Sequence, residues 1–247
     1  MIDGYRSGGA APAANVPLAM STVSTGGRPH GDFLVECCQP FKLVDVQPES
    51  NSPGKPRRTK ADFRFRDARL CFSFVATLGD RGKPESYERL VSPNDLGRWS
   101  VESGCLATPP RCFPPHLIRA TALREAIYSA GKALAAKLPI DSEQIVIINS
   151  AAAIPALVPE LSIDSTKVTW AGTGIEAVLS SVARDFISLY GSPLRDRVKI
   201  CQNASCGIPF VDTSRGGLRR WCSMTTCGAL AKKRSYRSRQ RLRPRPG

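Results

Sequence analysis

Four cysteines near the C-terminal end of this 247-residue chain occur as two close pairs. Cys201 and Cys206 are separated by four residues, fifteen residues follow, and Cys222 and Cys227 are again separated by four. Zinc prefers four tetrahedral ligands and binds thiolates well, and two short loops that turn back can aim four sulfurs at one point. The spacing therefore predicts one structural zinc ion held by these four cysteines.

The segment around these cysteines is too small to fold on a hydrophobic core alone. About fifty residues with few large apolar side chains bury little surface, and modules of this size usually depend on a metal. Structural zinc contributes about 10–16 kcal/mol in zinc-finger peptides, which would dominate such a core. Since cysteines fill all four ligand positions, we expect a structural metal and not a catalytic one.

The local pattern predicts a β-hairpin followed by a helix. Residues 197–201 and 208–212 can pair around the first two cysteines, with a turn at Gly207, and residues 214–217 form a second turn. Cys227 then enters a basic helix. A hairpin followed by a helix with a ligand in its first turn is typical of a treble-clef zinc finger.

Positive charge is concentrated in the same segment. Residues 195–247 contain fourteen lysines and arginines against two acidic residues, a net charge of +12, whereas residues 1–194 have a net charge of +2. This polarity favours a polyanionic partner, DNA or RNA, while a solvated basic tail is the alternative interpretation. The residues expected to contact phosphates are Arg215, Arg219, Arg220, Lys232, Lys233, Arg234 and Arg237.

The composition is that of a soluble globular protein, with 42% hydrophobic and 23% charged residues. No uncharged apolar stretch reaches the roughly 18 residues of a membrane span, and no secretory signal is evident. We therefore expect a cytoplasmic protein, nucleoid-associated if it binds DNA, with no membrane partner. The chain has nine cysteines, and an odd number in a cytosolic protein argues against a disulfide framework.

The chain divides by composition into four segments. Residues 1–60 are predicted to be a disordered leader and linker, with a strand between Phe33 and Val46 as one option, and residues 61–194 to be a folded domain. Residues 195–237 form the zinc module, and residues 238–247 a flexible basic tail.

Helix-start signals dominate the folded domain. Ser92 can cap one helix, and Pro114 opens a longer one. Asp141 and Thr173 each precede a Gln or Glu by three residues, the spacing of a capping box, and the second of these helices runs to Tyr190. We therefore predict an α+β fold class, in which a mostly helical N-terminal domain with a few strands precedes a small zinc finger with four cysteine ligands.

The C-terminal motifs resemble the CGNR zinc finger, a family of bacterial proteins regarded as transcription regulators. The resemblance is carried by Cys201–Cys206, Phe210–Ser214, Arg219–Met224 and Cys227–Arg237. It implies DNA binding and a zinc ion on the four cysteines. The name-giving Asn-Arg of the family is replaced here by Ala229-Leu230, which removes an amide and a cation from the start of the helix.

The preceding domain is similar to the ABATE domain, the usual N-terminal partner of that finger. Leu70–Leu78 resembles its Leu-Asp-Phe-Val-Asn-Thr signature, and residues 90–99 and 123–125 resemble later landmarks. The resemblance implies a mixed α/β domain that senses a stress-related signal through an unidentified small molecule or protein. Here Ser73 and Ala76 replace the acid and the amide of the signature.

No catalytic residues are predicted, and we expect that the protein is not an enzyme. Gly172-x-Gly174-x-x-Ala177 follows a possible strand, but no second βαβ unit follows it, so a dinucleotide site is disfavoured. His116 in a helix's first turn is interpreted as exposed or capping. A DNA-binding regulator is the first hypothesis, and an RNA-binding or ribosome-associated protein and a zinc-stabilised protein-interaction module are the alternatives.

Overall fold

The structure is a computed structural model that describes residues 59–65, 67–163, 166 and 168–241. The predicted leader and linker up to residue 58, including the strand proposed between Phe33 and Val46, lies outside the described residues, as does the chain from residue 242. All of the described residues belong to one compact unit.

Six α-helices and three two-stranded antiparallel sheets follow one another along the described part of the chain. The helices are α1 (Leu70–Val75), α2 (Pro93–Glu102), α3 (Pro114–Ala136), α4 (Ser142–Ala152), α5 (Ile175–Tyr190) and α6 (Ala229–Arg241). The strand pairs are β1 (Leu78–Gly79) with β2 (Tyr87–Glu88), β3 (Val158–Leu161) with β4 (Val168–Ala171), and β5 (Val198–Ile200) with β6 (Pro209–Val211). The predicted α+β class is confirmed. None of the described helices combines the length and the apolar character needed to cross a membrane.

Helices α2 and α3 begin where the sequence predicts. The Ser92 hydroxyl accepts a hydrogen bond from the Asp95 amide at 3.4 Å, and the Asp95 carboxylate accepts one from the Ser92 amide at 2.9 Å. This reciprocal pair satisfies two amide groups that the helix leaves without partners. In α3, Pro114 takes the first position, and the Nδ1 atom of His116 accepts from the Phe113 amide at 3.1 Å. The interpretation of His116 as a capping residue is confirmed.

The two capping boxes predicted further along the chain are wrong. Asp141 does precede α4, but its side chain makes no capping hydrogen bond. Helix α5 is preceded by Gly174 and not by Thr173. Gly174 has a φ of 86°, a conformation that residues with a Cβ rarely adopt, so the backbone turns into the helix one residue later than the spacing indicates.

Helix α1 is the centre of the core. All six of its residues are buried, and it packs against α3 and α5. The sequence leaves this segment open between strand and helix because a short, continuously apolar run has no informative period. The ring of Phe74 meets that of Trp99 edge-on at 4.8 Å between centroids, which joins α1 to α2.

A buried ion pair fixes the start of α1 against α5. Arg69 and Asp185 lie 3.1 Å apart, and the other Asp185 oxygen accepts from the Cys71 amide at 3.0 Å. Burial raises the pKa of Asp185, and the Arg69 guanidinium opposes that shift. Removing either partner would leave an uncompensated charge in the core.

Two arginine–carboxylate pairs attach the β1–β2 hairpin region to α3. Arg124 makes two 2.7 Å hydrogen bonds to Glu88 of β2, and Arg81 makes hydrogen bonds of 2.8 and 2.9 Å to Glu125. Arg124 is almost fully buried, so this paired geometry satisfies a charge that water cannot reach. The motif at residues 123–125 therefore has a structural role in this chain.

The sheet that precedes α5 excludes a dinucleotide-binding fold in the described residues. Strand β4 pairs only with β3, antiparallel, whereas a dinucleotide fold needs a parallel sheet with crossover helices. All four residues of β3 are exposed. The glycines between β4 and α5 form a loop, as the sequence indicates.

The β5–β6 hairpin packs directly on α3 through a glycine. A Cβ atom on Gly131 would lie 2.9 Å from Pro209 Cγ and 3.2 Å from the Phe72 ring, so only glycine lets hairpin and helix approach this closely. Nearby, an oxygen of the Asp67 carboxylate accepts a hydrogen bond from the Val211 amide at 2.9 Å. These contacts join the C-terminal module to the helical body.

Substitution of Gly131 by Val should loosen this contact. The added methyl groups would press on a proline ring, which moves little, and we expect a loss of about 1–3 kcal/mol in the free energy of unfolding. Urea denaturation of the zinc-loaded protein measures it. Ser129→Val adds a similar side chain at an exposed position of the same helix and should change stability by less than about 0.5 kcal/mol. Equal losses in the two variants would contradict the packing that we describe.

Candidate metal centre and basic surface

The sulfur atoms of Cys201, Cys206, Cys222 and Cys227 converge on one point. All four lie within 4.8 Å of one another and all four residues are buried. The Cys222 sulfur is 3.7 Å from that of Cys206 and 3.6 Å from that of Cys227. A tetrahedron with zinc–sulfur distances of about 2.3 Å has sulfur–sulfur edges of about 3.8 Å. The spacing fits a zinc ion, and it is far longer than a disulfide bond of about 2.05 Å.

The first pair of ligands is placed by the hairpin. Cys201 follows β5, and its amide donates to the Ile208 carbonyl at 2.9 Å, which extends the strand pairing by one residue. The Cys206 amide donates to the Asn203 carbonyl at 2.7 Å and closes a tight turn. Gly207 follows with a φ of 64°, which lets the chain reverse into β6. The predicted hairpin is confirmed, because residues 198–200 pair with 209–211 and backbone hydrogen bonds from Cys201 to Ile208 and from Asp212 to Arg197 flank them.

The second pair is placed by an irregular helical turn. Residues Met224–Gly228 form a π-helical turn that contains Cys227 and leads without a break into α6. The Ser223 hydroxyl caps this turn by accepting from the Thr226 amide at 3.2 Å. Cys227 therefore lies two residues before α6, in a π-helical turn and not in the first α-helical turn that the sequence predicts.

The electrostatics of the cluster are those of a site that binds a cation. Sulfur–sulfur hydrogen bonds from Cys206 and its neighbours lower the pKa of Cys201, while hydrogen bonds with Cys201 and the other cysteines raise the pKa of Cys222. Four buried sulfurs this close cannot all ionise without a positive charge among them. A divalent ion supplies that charge, and all four cysteines would then hold it as thiolates. The four residues predicted as zinc ligands are thus brought together.

Asp212 organises the loop between the two ligand pairs. Its carboxylate accepts hydrogen bonds from Lys199 at 2.8 Å, from the hydroxyl and amide of Ser214 at 2.6 and 3.0 Å, and from the Arg219 amide at 2.8 Å. Burial tends to raise the pKa of Asp212, but these donors, Lys199 foremost, hold it below its usual range. The sequence reveals Asp212 only as part of a motif and gives no sign of this role.

Three of the seven predicted phosphate contacts have partners inside the finger. Arg219 donates to the Cys222 carbonyl at 2.7 Å, Arg220 to the Gln202 side chain at 2.7 Å, and Arg234 to the Ser205 hydroxyl at 2.7 Å. The Arg219 guanidinium also lies over the Phe210 ring. These arginines support the finger whether or not they touch a ligand.

The other four predicted contacts are exposed. They are Arg215, Lys232, Lys233 and Arg237. Lys233 and Arg237 are one helical turn apart and share a face of α6. The helix continues to Arg241, four residues into the segment for which the sequence predicts a flexible tail, so Arg239 is also carried on it. Contact with phosphate stays a prediction for all seven residues.

Comparison with known protein families confirms the resemblance seen in the sequence. Residues 68–193 match the model of the ABATE family, whose description reads "Putative stress-induced transcription regulator". Residues 197–240 match the model of the CGNR zinc finger. No curated protein matches the chain.

We expect one zinc ion per chain, and the substitution Cys222→Ser should abolish zinc binding. Cys222 is fully buried at the centre of the cluster, and serine is a much poorer zinc ligand than a thiolate. Elemental analysis after gel filtration gives the stoichiometry. Cys112→Ser, which changes a half-buried cysteine of the body, should keep its zinc. Full zinc content in Cys222→Ser would contradict the assignment.

Asp212→Asn should destabilise the finger without removing a ligand. The amide keeps one acceptor oxygen but loses the charge that faces Lys199, and we expect a cost of about 2 kcal/mol. Thermal or urea unfolding with zinc present measures it. Asp196→Asn is the matched control, because Asp196 is exposed and its carboxylate lies 3.7 Å from the Arg195 guanidinium. A loss no larger in Asp212→Asn than in Asp196→Asn would refute the organising role.

Proposed function

Because the chain belongs to the ABATE family and ends in a CGNR zinc finger, we propose that it is a transcription regulator that binds DNA through the finger. Its helical body would receive a signal from a small molecule or a protein, and its finger would contact the duplex. The proposed location is the cytoplasm, in association with the nucleoid.

The observation that carries this proposal is the charge of helix α6. Its thirteen residues, ALAKKRSYRSRQR, contain six lysines and arginines and no acidic residue. Lys232, Lys233, Arg237 and Arg239 are exposed. A tail that serves only solubility does not need its positive charge on a folded helix. A helix with this concentration of positive charge is complementary to a phosphate backbone.

The geometry of α6 suits a groove of the duplex. The major groove is about 12 Å wide and admits one α-helix, whose diameter with side chains is about 10–12 Å. The start of α6 is attached to the zinc site, and Arg234 fastens its second turn to the first ligand loop through Ser205. The exposed cations therefore have a rigid base. Their phosphate contacts would give affinity but no base specificity.

We assign no catalytic role to the chain. His116, the one histidine among the described residues, is engaged in capping α3 and lies 3.7 Å from Glu176. The cysteines of the finger are all used by the metal site. The structural role of each of these groups supports a binding protein over an enzyme.

The salt dependence of DNA binding tests the proposal. Each phosphate contact contributes about −0.9 to the slope of log K against log salt, so affinity for a duplex should fall steeply between about 50 and 200 mM salt. The triple variant Lys232→Gln, Lys233→Gln, Arg237→Gln should lose about 2–3 units of that slope. Fluorescence anisotropy with a labelled duplex provides both measurements.

Neutralising exposed cations of the body supplies the matched control. Arg111→Gln, Lys132→Gln and Lys137→Gln together remove the same charge from outside the finger and should leave the slope nearly unchanged. An equal effect of the two triple variants would show that net charge alone drives binding. If structured RNA outcompetes the duplex, the partner is RNA and not DNA. If an acidic protein stays bound after a high-salt wash that removes DNA, the partner is that protein.

A further inference from the structure

A small cavity lies where the finger meets the body. Its volume is about 60 Å³. Arg64, Ala76 and Arg89 line it from the body, and Asn203, Ser205 and Leu230 line it from the finger. One water molecule requires about 10–15 Å³, so the cavity has room for a ligand of a few non-hydrogen atoms.

The polar part of the wall is rich in hydrogen-bond donors. The Arg89 side chain is buried, and main-chain carbonyls of Asp62 and Ala76 hold its guanidinium at 2.9 and 3.2 Å. Arg64, which donates to the Thr59 carbonyl at 2.7 Å, supplies a second guanidinium. The wall also includes Asp80, which is paired with Lys83 at 2.9 Å, and the zinc ligand Cys206, whose charge a bound metal ion would offset. A wall of this kind favours an anionic ligand.

The side-chain amide of Asn203 is a second feature of the wall that points to a ligand. It is only 5% exposed. Its Oδ1 atom accepts from the Ser205 amide at 3.2 Å and from Arg234 at 3.5 Å, but its Nδ2 atom donates to nothing in the described part of the chain. Because Asn203 lines the cavity, an acceptor bound there can take a hydrogen bond from this nitrogen.

The remaining wall is apolar, and two of its residues are departures from the family signatures. Ala76 stands where the ABATE signature has an amide, and Leu230 stands where the CGNR signature has an arginine. Positions 154 residues apart thus meet in one cavity. In this chain both positions are apolar, as are Leu78 and Ile208 in the same wall.

We propose that this cavity binds a small monocarboxylate, with the carboxylate between the guanidinium groups and the Asn203 nitrogen and a short apolar chain against Ala76 and Leu230. A phosphate fits less well because it has no apolar part to place on that wall. Asn203 and Ser205 both accept from Arg234 of α6, so the ligand touches the loop that holds the DNA-facing helix. That regulatory consequence rests on the proposed function, whereas the site itself does not.

An NMR titration of the zinc-loaded full chain tests the site without DNA. Acetate and propionate, at constant ionic strength set with chloride, should shift the side-chain amide of Asn203 saturably, and propionate should bind at least as tightly as acetate. Inorganic phosphate should bind more weakly than either. Equal shifts with chloride would show that the cavity holds water only, and tighter binding of phosphate would overturn the carboxylate class.

Asn203→Asp is the decisive variant. It keeps an oxygen for Ser205 and Arg234 but replaces the donor nitrogen by an anionic oxygen, so carboxylate affinity should fall at least about tenfold. Gln202→Glu makes the same charge change on the neighbouring exposed residue and should leave affinity unchanged. Ala76→Leu fills the cavity and should abolish the shifts while zinc content stays at one per chain.

Unchanged affinity in Asn203→Asp and in Ala76→Leu would overturn the site. Because the duplex is absent from these measurements, their failure leaves DNA binding standing. A flat salt dependence of DNA binding would in turn leave the carboxylate site standing.

Discussion

The convergence of four cysteine sulfurs on one metal is the interaction on which the C-terminal module depends. The hairpin that carries the first two ligands pairs only three residues on each strand, and the second pair stands on an irregular turn. Neither element would persist alone in water. The buried Asp212 adds a polar anchor between the ligand pairs, because it joins Lys199 of β5 to Ser214 and Arg219 of the following loop. We therefore expect metal binding and folding of this segment to be coupled.

The finger is part of the body and not an appendage to it. Pro209 of the hairpin packs against Gly131 of α3, and the Asp67 carboxylate accepts a hydrogen bond from the Val211 amide. Burial raises the pKa of Asp67 to about 6, which shows how far this carboxylate is removed from water at the junction. A signal received by the helical body would reach the finger through these packed contacts, because no flexible linker separates α5 from β5 in the described chain.

Residues from both family-matched segments line a single cavity. The ABATE signature contributes Ala76 and the CGNR motif contributes Leu230, and both differ from the usual polar residue. Considered separately, each departure looks like the loss of a function. In this chain both residues line the same cavity and make part of its wall apolar. Three basic residues of the finger have a structural role that their charge does not reveal. Arg219, Arg220 and Arg234 each donate a hydrogen bond inside the finger.

The sequence by itself determined the features that depend on near neighbours. The zinc ligands, the hairpin around Cys201 and Cys206, the cap at Ser92 and the fold class could all be predicted, because a short spacing decides each local geometry. It could not decide that α1 is a helix, that α5 begins after Gly174, or that α6 continues through Arg239 to Arg241. Only the tertiary structure joined Asp67 to Val211 and Ala76 to Leu230, pairs 144 and 154 residues apart. Such contacts depend on how helices pack, and the packing of distant side chains leaves no periodic trace in a single chain.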